Sequence, residues 1–325
     1  MAFLLAHLFA ALAVQAAPAS DPLTAELAAA QAVARTEGER LWPGFGAAPF
    51  SMLLVRETRE LLLCHPTVPA GFSPAGMDAA TGCHGFTRPR SALAPDLLAA
   101  MPIFGPPSTI VIGTPEASRL SLVRWRATIW HEHFHQWQAA LPDYYRRVEA
   151  LGLAGDDRTG MWMLNFPFPY QRPEVVQAHG HAARALAAAL AARGGGSLVP
   201  LARRYVALRR ALAQAAGERN WTYFDFQLWQ EGVARWTEIA IARSAADRAG
   251  REDAAAREQE ILAGLAAPDL AREGRLAAYA LGAGEAMLME ACGFDWRIRY
   301  RTSLALGPLV EDAARECRPQ PPAAG

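Results

Sequence analysis

The sequence predicts an α+β chain in which a small N-terminal β-sheet precedes a predominantly helical region. Three observations carry that expectation. Short apolar runs rich in strand formers end at Gly113, helix-forming stretches dominate from about residue 118, and the two textures follow each other instead of alternating as around a parallel sheet. With 325 residues, 52% of them apolar, the chain can bury one large core or two closely joined ones. The expected divisions are a signal peptide at 1–19, a helix-and-sheet subdomain at 20–117 and a helical region at 118–325.

The N-terminus, MAFLLAHLFAALAVQAAPAS, is an apolar run followed by small residues, which matches a secretory signal cleaved between Ala16 and Ala19. It is short for a bilayer span, no cysteine follows it to carry a lipid, and no later stretch is apolar for long enough to cross a membrane. Export to a periplasmic or secreted location is expected. Next, PLTAELAAAQAVARTEGERLW reads as a helix stopped by Pro43 and Gly44. SMLLVR, ELLLCH and STIVIG, the last at 108–113, read as strands. The Pro-, Gly- and Ser-dense segment at 66–107 is expected to be irregular and to form the rim of a cleft.

Helices are expected at 119–140, 173–193, 197–216, 222–248, 253–265, 275–292 and 304–316, separated by Pro-, Gly- and Asp-rich breaks. Thr222 with Asp225 offers a weak capping box for the fourth of these. Thirty-two basic residues, all arginine, balance thirty-two acidic ones with no long run of either sign, so no electrostatic footprint for nucleic acid exists. Cys64, Cys83, Cys292 and Cys317 suit disulfides in an oxidising compartment, and three pairings are possible. The sequence-local one, Cys64 with Cys83 and Cys292 with Cys317, would close the Pro- and Gly-rich loop and tie down the C-terminal tail. No close Cys pair favours zinc ligation by these thiols.

The chemistry concentrates in RATIWHEHFHQWQ, residues 126–138, where three of the eight histidines fall within five positions. His131, Glu132 and His135 form H-E-x-x-H. Residues four apart on a helix are separated by about 40° around the axis and one turn along it, so His131 and His135 project together and can bind one metal ion. Glu132 lies about 100° from His131, beside the ion's open position, where a carboxylate can take a proton from water. His133 projects elsewhere. Trp130, Phe134 and Trp137 follow a 4,3 spacing and read as core.

A third ligand is offered by Glu231 in FQLWQEGVARWTEIA; His179, His181 and Glu238 are alternatives. Two histidines and one carboxylate leave a fourth position for water, which is the composition of a catalytic zinc site and not of a structural one. If Glu231 is the ligand, Glu238 or Arg235 is placed to orient a ligand through hydrogen bonds, or to form an ordinary surface ion pair.

A strand-forming N-terminal part, H-E-x-x-H on a helix and a later helix bearing E-G-x-A together resemble the gluzincin class of zinc metallopeptidases, particularly its peptidase-MA-like members. The resemblance covers these motifs. It implies a zincin-like helical region, one Zn2+ held by His131, His135 and Glu231, Glu132 as general base, and a peptide or protein substrate. Tyrosine often stabilises the oxyanion in related zincins, and Tyr279 in AYALGAGEAMLME is the preferred candidate, with Tyr223 next. The rival expectation is a non-catalytic exported protein that binds metal or a partner through the histidine-rich helix.

Overall fold

Alanine and leucine build the first helix, α1 (Pro22–Val33), which runs on through a π-turn at Ala34–Gly38 to Leu41. The computed structural model describes residues 22–245 and 247–318, so the signal expected at 1–19 lies outside the described residues. The apolar runs that follow become β1 (Met52–Val55), β2 (Arg59–Leu63) and β6 (Thr109–Gly113), and between the last two stand β3 (Ser73–Met77), β4 (His84–Pro89) and β5 (Leu98–Met101). All six form one sheet in the order β3-β4-β2-β1-β6-β5. The β1–β6 pair is parallel and the other pairs are antiparallel. Every residue of β1 and β6 is buried, as two apolar strands at the middle of a covered sheet should be.

The segment at 66–107 is therefore not irregular, contrary to its composition. β3 is exposed along its whole length and contains proline and glycine, so its own side chains supply little of its stability. What makes it a strand is the backbone ladder to β4, which is itself paired with β2. Glu60, fully buried on β2, accepts hydrogen bonds from Arg88 Nε at 2.6 Å and from Ser91 N–H at 2.9 Å, and so turns the chain from β4 toward β5. Burial raises this carboxyl, but Ser91 and Arg88 outweigh it and hold the group below the usual carboxylate range.

The rest of the chain is helical: α2 (Leu122–Ala139), α3 (Pro173–Ala191), α4 (Leu198–Ala216), α5 (Glu218–Gln227), α6 (Val233–Ser244), α7 (Arg248–Ala266), α8 (Ala277–Ala291) and α9 (Gly307–Glu316). The fold class is α+β. α5 begins at Glu218, four residues before the expected start. Thr222 spends its hydroxyl on the Glu218 carbonyl and Asp225 pairs with Arg209, so neither caps a helix. A π-turn at Leu228–Gly232 joins α5 to α6. The sulfurs of Cys64 and Cys83, and of Cys292 and Cys317, form two disulfides. No helix among the described residues is long and apolar enough to cross a membrane.

α2 is the spine that positions the site. Ser121 Oγ caps it by accepting the Arg124 N–H. Its aromatic residues are buried, and its polar groups clamp the sheet-bearing part: Trp125 Nε1 donates to Gly113 O at 2.8 Å and Trp130 Nε1 to Ala30 O at 2.9 Å. Gln136 Nε2 donates to Ser51 O at 2.8 Å and Ser108 O at 2.7 Å, at the entrances of β1 and β6. Gln136→Leu should strip both carbonyls of a donor inside the core, lowering the unfolding free energy by about 1–3 kcal/mol. Denaturant melts check this, and a variant as stable as the parent would refute the clamp.

Candidate metal centre

Three side chains meet where α2 faces the π-turn between α5 and α6. His131 Nε2 and His135 Nε2 lie 3.1 Å apart, and Glu231 Oε2 lies 3.5 Å from the first and 3.4 Å from the second. Ligand atoms held 2.0–2.1 Å from a tetrahedral ion are separated by about 3.3–3.4 Å, so these three atoms span a face of the right size for zinc. Among the described residues, this is the cluster of His, Cys, Asp and Glu with metal-ligand spacing.

His135 has its other nitrogen hydrogen-bonded from behind, and that of His131 faces a carboxylate without a hydrogen bond. His135 Nδ1 is 2.7 Å from Gln138 Oε1, one turn further along α2. The direction of that bond follows from a chain of donors: Tyr300 O–H donates to Trp229 O at 2.8 Å, so it accepts from Gln138 Nε2 at 2.7 Å. The Gln138 oxygen is thereby left facing His135, which must donate from Nδ1 and present Nε2 as a lone pair. Gln230 Nε2 lies 3.3 Å from the same Nδ1 and is the longer contact. His131 Nδ1 is 3.4 Å from Glu238 Oε2. Arg235 at 2.7 Å and Arg257 both bind the remaining oxygen of Glu238, which is 1% exposed and therefore no surface pair.

Glu231 and Glu238 thus grip one ring from its two ends. Seven helical residues advance about 10.5 Å, enough to accommodate an imidazole and a contact at each side. Burial works against charge on His131, but Glu231 and Glu238 prevail and lift it to about 9. A cation would have to displace that proton, which couples binding to pH. Burial also raises Glu231, and the two imidazoles reverse this and hold it well below the usual range.

Glu132 is 6% exposed, follows His131 directly on α2, and is in electrostatic contact with His131, His135 and Glu231. Burial pushes its carboxyl up, countered in part by the imidazoles. Tyr279, in the first turn of α8, stacks on His131 with ring centroids 5.8 Å apart and planes 10° from parallel, and its hydroxyl is in electrostatic contact with Glu231. Burial raises its pKa far above the ordinary value, so the hydroxyl stays a neutral donor. Tyr223 is differently committed, with its hydroxyl on Met163 O at 2.9 Å.

The remaining candidates are elsewhere. His133 is buried against Phe45 O at 3.0 Å and Gln136 Oε1 at 2.8 Å, and burial, outweighing those contacts, drops it to about 4. His179 is buried beside Phe224, and His181 is exposed. Gln138, Tyr300, Arg257 and Arg275 complete the surroundings without having been expected. Gln138 sits one turn beyond His135 and Arg275 one turn before Tyr279, a spacing that could have nominated both; Tyr300 carries no such signal. A surface cavity of about 340 Å³ lined by Arg209, Trp221, Asp225 and Gly307 involves none of these ligand atoms.

The glycine after Glu231 has a steric reason. A Cβ on Gly232 would stand 2.4 Å from Gly282 Cα on α8, and one on Gly282 would stand 2.5 Å from Leu228 O. The two backbones touch, which brings Tyr279 within reach of Glu231. No protein-family model matches the chain, and no curated protein or solved structure matches it. Gly232→Ala should force the π-turn from α8, costing about 1–3 kcal/mol of stability and weakening whatever retention of added Zn2+ the three side chains show against a chelator. Unchanged melting and unchanged retention together would show that the contact does not set the site.

Proposed function

We propose that the protein is an exported zinc-dependent hydrolase, and most specifically a metallopeptidase of gluzincin type. The observation that carries this reading is the triangle of His131 Nε2, His135 Nε2 and Glu231 Oε2 at zinc-ligand spacing, with the Glu132 carboxylate in electrostatic contact with all three. The donor set fits the ion: two imidazoles, one with Nδ1 bonded to Gln138 and one with Nδ1 facing Glu238, and one carboxylate, which leaves a position for water. When bound, zinc supplies Lewis acidity, polarising a carbonyl and bringing the pKa of water toward neutrality.

Around it the chain's own groups do the rest. Glu132 takes the proton of the attacking water and passes it to the leaving amine, a transfer favoured by its buried setting. Tyr279, kept neutral, donates to the oxygen that gains charge as water adds to the carbonyl. The peptide as substrate rests on the order of motifs, H-E-x-x-H then E-G-x-A; the hydrolytic chemistry rests on the side chains themselves. Export is supported by the apolar leader and the two disulfides.

Glu132→Gln retains size and loses the base. Loaded with stoichiometric zinc, it should hydrolyse a mixed peptide pool, read by mass spectrometry, at least about a hundredfold more slowly than the parent. Parent-like turnover removes Glu132 from the role, and a zinc-loaded parent with no turnover on any amide favours a non-catalytic metal-binding protein instead. Mass analysis of the protein recovered from fractionated cells and medium should find it outside the cytoplasm with an N-terminus between residues 17 and 20 and no free thiols; cytoplasmic protein with Met1 intact and four free thiols would count against export.

A further inference from the structure

The two oxygens of Glu231 have divided surroundings. Oε2 faces both imidazoles, whereas Oε1 is 3.2 Å from Arg275 Nη1, which also lies 3.4 Å from Gln227 Oε1. Arg275 belongs to the 3-10 turn Gly274–Leu276 that leads into α8, and its guanidinium stands 5.6 Å from the centre of the Tyr279 ring. The turn departs from Gly274 at φ 56° and ψ −131°, a conformation for glycine that aims the next side chain back at the π-turn. α8 and the π-turn touch at Gly232 and Gly282, so the arginine has a fixed base from which to reach.

Resting on the zinc-hydrolase reading, we propose that Arg275 is a positioning residue that holds Glu231 to one metal-ligating oxygen. A carboxylate free to rotate can offer both oxygens to a dication, and the second, added beside the water, would raise the coordination above four and crowd the position that water needs. A guanidinium on Oε1 competes for that oxygen with a positive charge and a directed hydrogen bond, while Oε2 stays with the imidazoles. The Tyr279 ring stands between the same partners, stacked on His131 and beneath the Arg275 guanidinium. Arg275 itself touches no reacting atom; it acts through Glu231. Its side chain is 22% exposed, so truncation leaves no sealed void and the fold should tolerate it.

Cobalt substitution provides a readout that a purely structural role would not move, since the visible bands of Co2+ are intense at four-coordination and weaken as coordination rises. The disulfide-bonded full chain, loaded with Co2+, is compared with Arg275→Ala, Arg275→Lys and Arg275→Gln, each checked for an unaltered melting curve. The parent should give intense bands. Alanine and glutamine should weaken them and lower metal affinity roughly 10- to 100-fold in chelator competition, and lysine, which restores a cation near Oε1, should recover most of the intensity. Bands of unchanged shape and strength in folded, cobalt-bound Arg275→Ala and Arg275→Gln would overturn the proposal while leaving the hydrolase reading intact. A parent that binds no cobalt at the three ligands would overturn both.

Discussion

The contact on which the site depends involves no side chain at all: the backbone of the π-turn at Gly232 lies against the backbone of α8 at Gly282. Glycine within a helix costs about 0.5–1 kcal/mol relative to alanine, and here two are accepted at facing positions. The return is proximity. Glu231 on one side of the seam and Tyr279 and Arg275 on the other come within hydrogen-bonding reach, which a pair of ordinary side chains at the contact would prevent. The widened turn at Leu228–Gly232 lies at the same place, in keeping with the frequent location of such irregularities at functional positions.

Around that seam the interior holds an unusual amount of charge. Glu238 would be costly at 1% exposure if alone, and it is balanced by Arg235 and Arg257 while it faces His131. His135 is served by a neutral amide whose own donors end on backbone carbonyls and on Tyr300. The two rings are therefore oriented by different means, one by a charged group and one by a polarised chain of uncharged ones. In both cases the orientation is built into the fold, so an ion placed at the three atoms would meet rings already set.

Much of this was legible in the chain. The four-residue interval between His131 and His135 dictates convergence on any helix, and alanine-rich amphipathic stretches delimit the long helices closely. The strands β3, β4 and β5 were not, because their composition is that of loops and their stability comes from partners distant in sequence. Helical position alone did not separate Glu231 from Glu238, which lie seven residues apart and face the same way, and the sequence favoured Glu231 through the E-G-x-A resemblance; the His131 ring stands between them, with Nε2 toward Glu231 and Nδ1 toward Glu238. The glycine after Glu231 was visible as a letter, but its purpose required its counterpart fifty residues later on α8.

The aromatic cluster around Trp42 has an optical consequence. Its ring lies 5.3 Å from Phe134, 5.1 Å from Trp137, 6.0 Å from Trp236, 5.3 Å from Trp296 and 5.0 Å from Tyr300, and it is fully buried. These partners come from α2, α6 and the turn before α9, whereas Trp42 ends the N-terminal helical segment. Indoles in so dry a setting emit toward the blue and exchange excitation with their neighbours; one drawn out into water emits toward the red. The protein's own luminescence therefore reports whether its first helical segment is seated on the remainder, and since Tyr300 belongs both to this cluster and to the chain of donors ending at His135, the same light is sensitive to the integrity of the histidine pair's support.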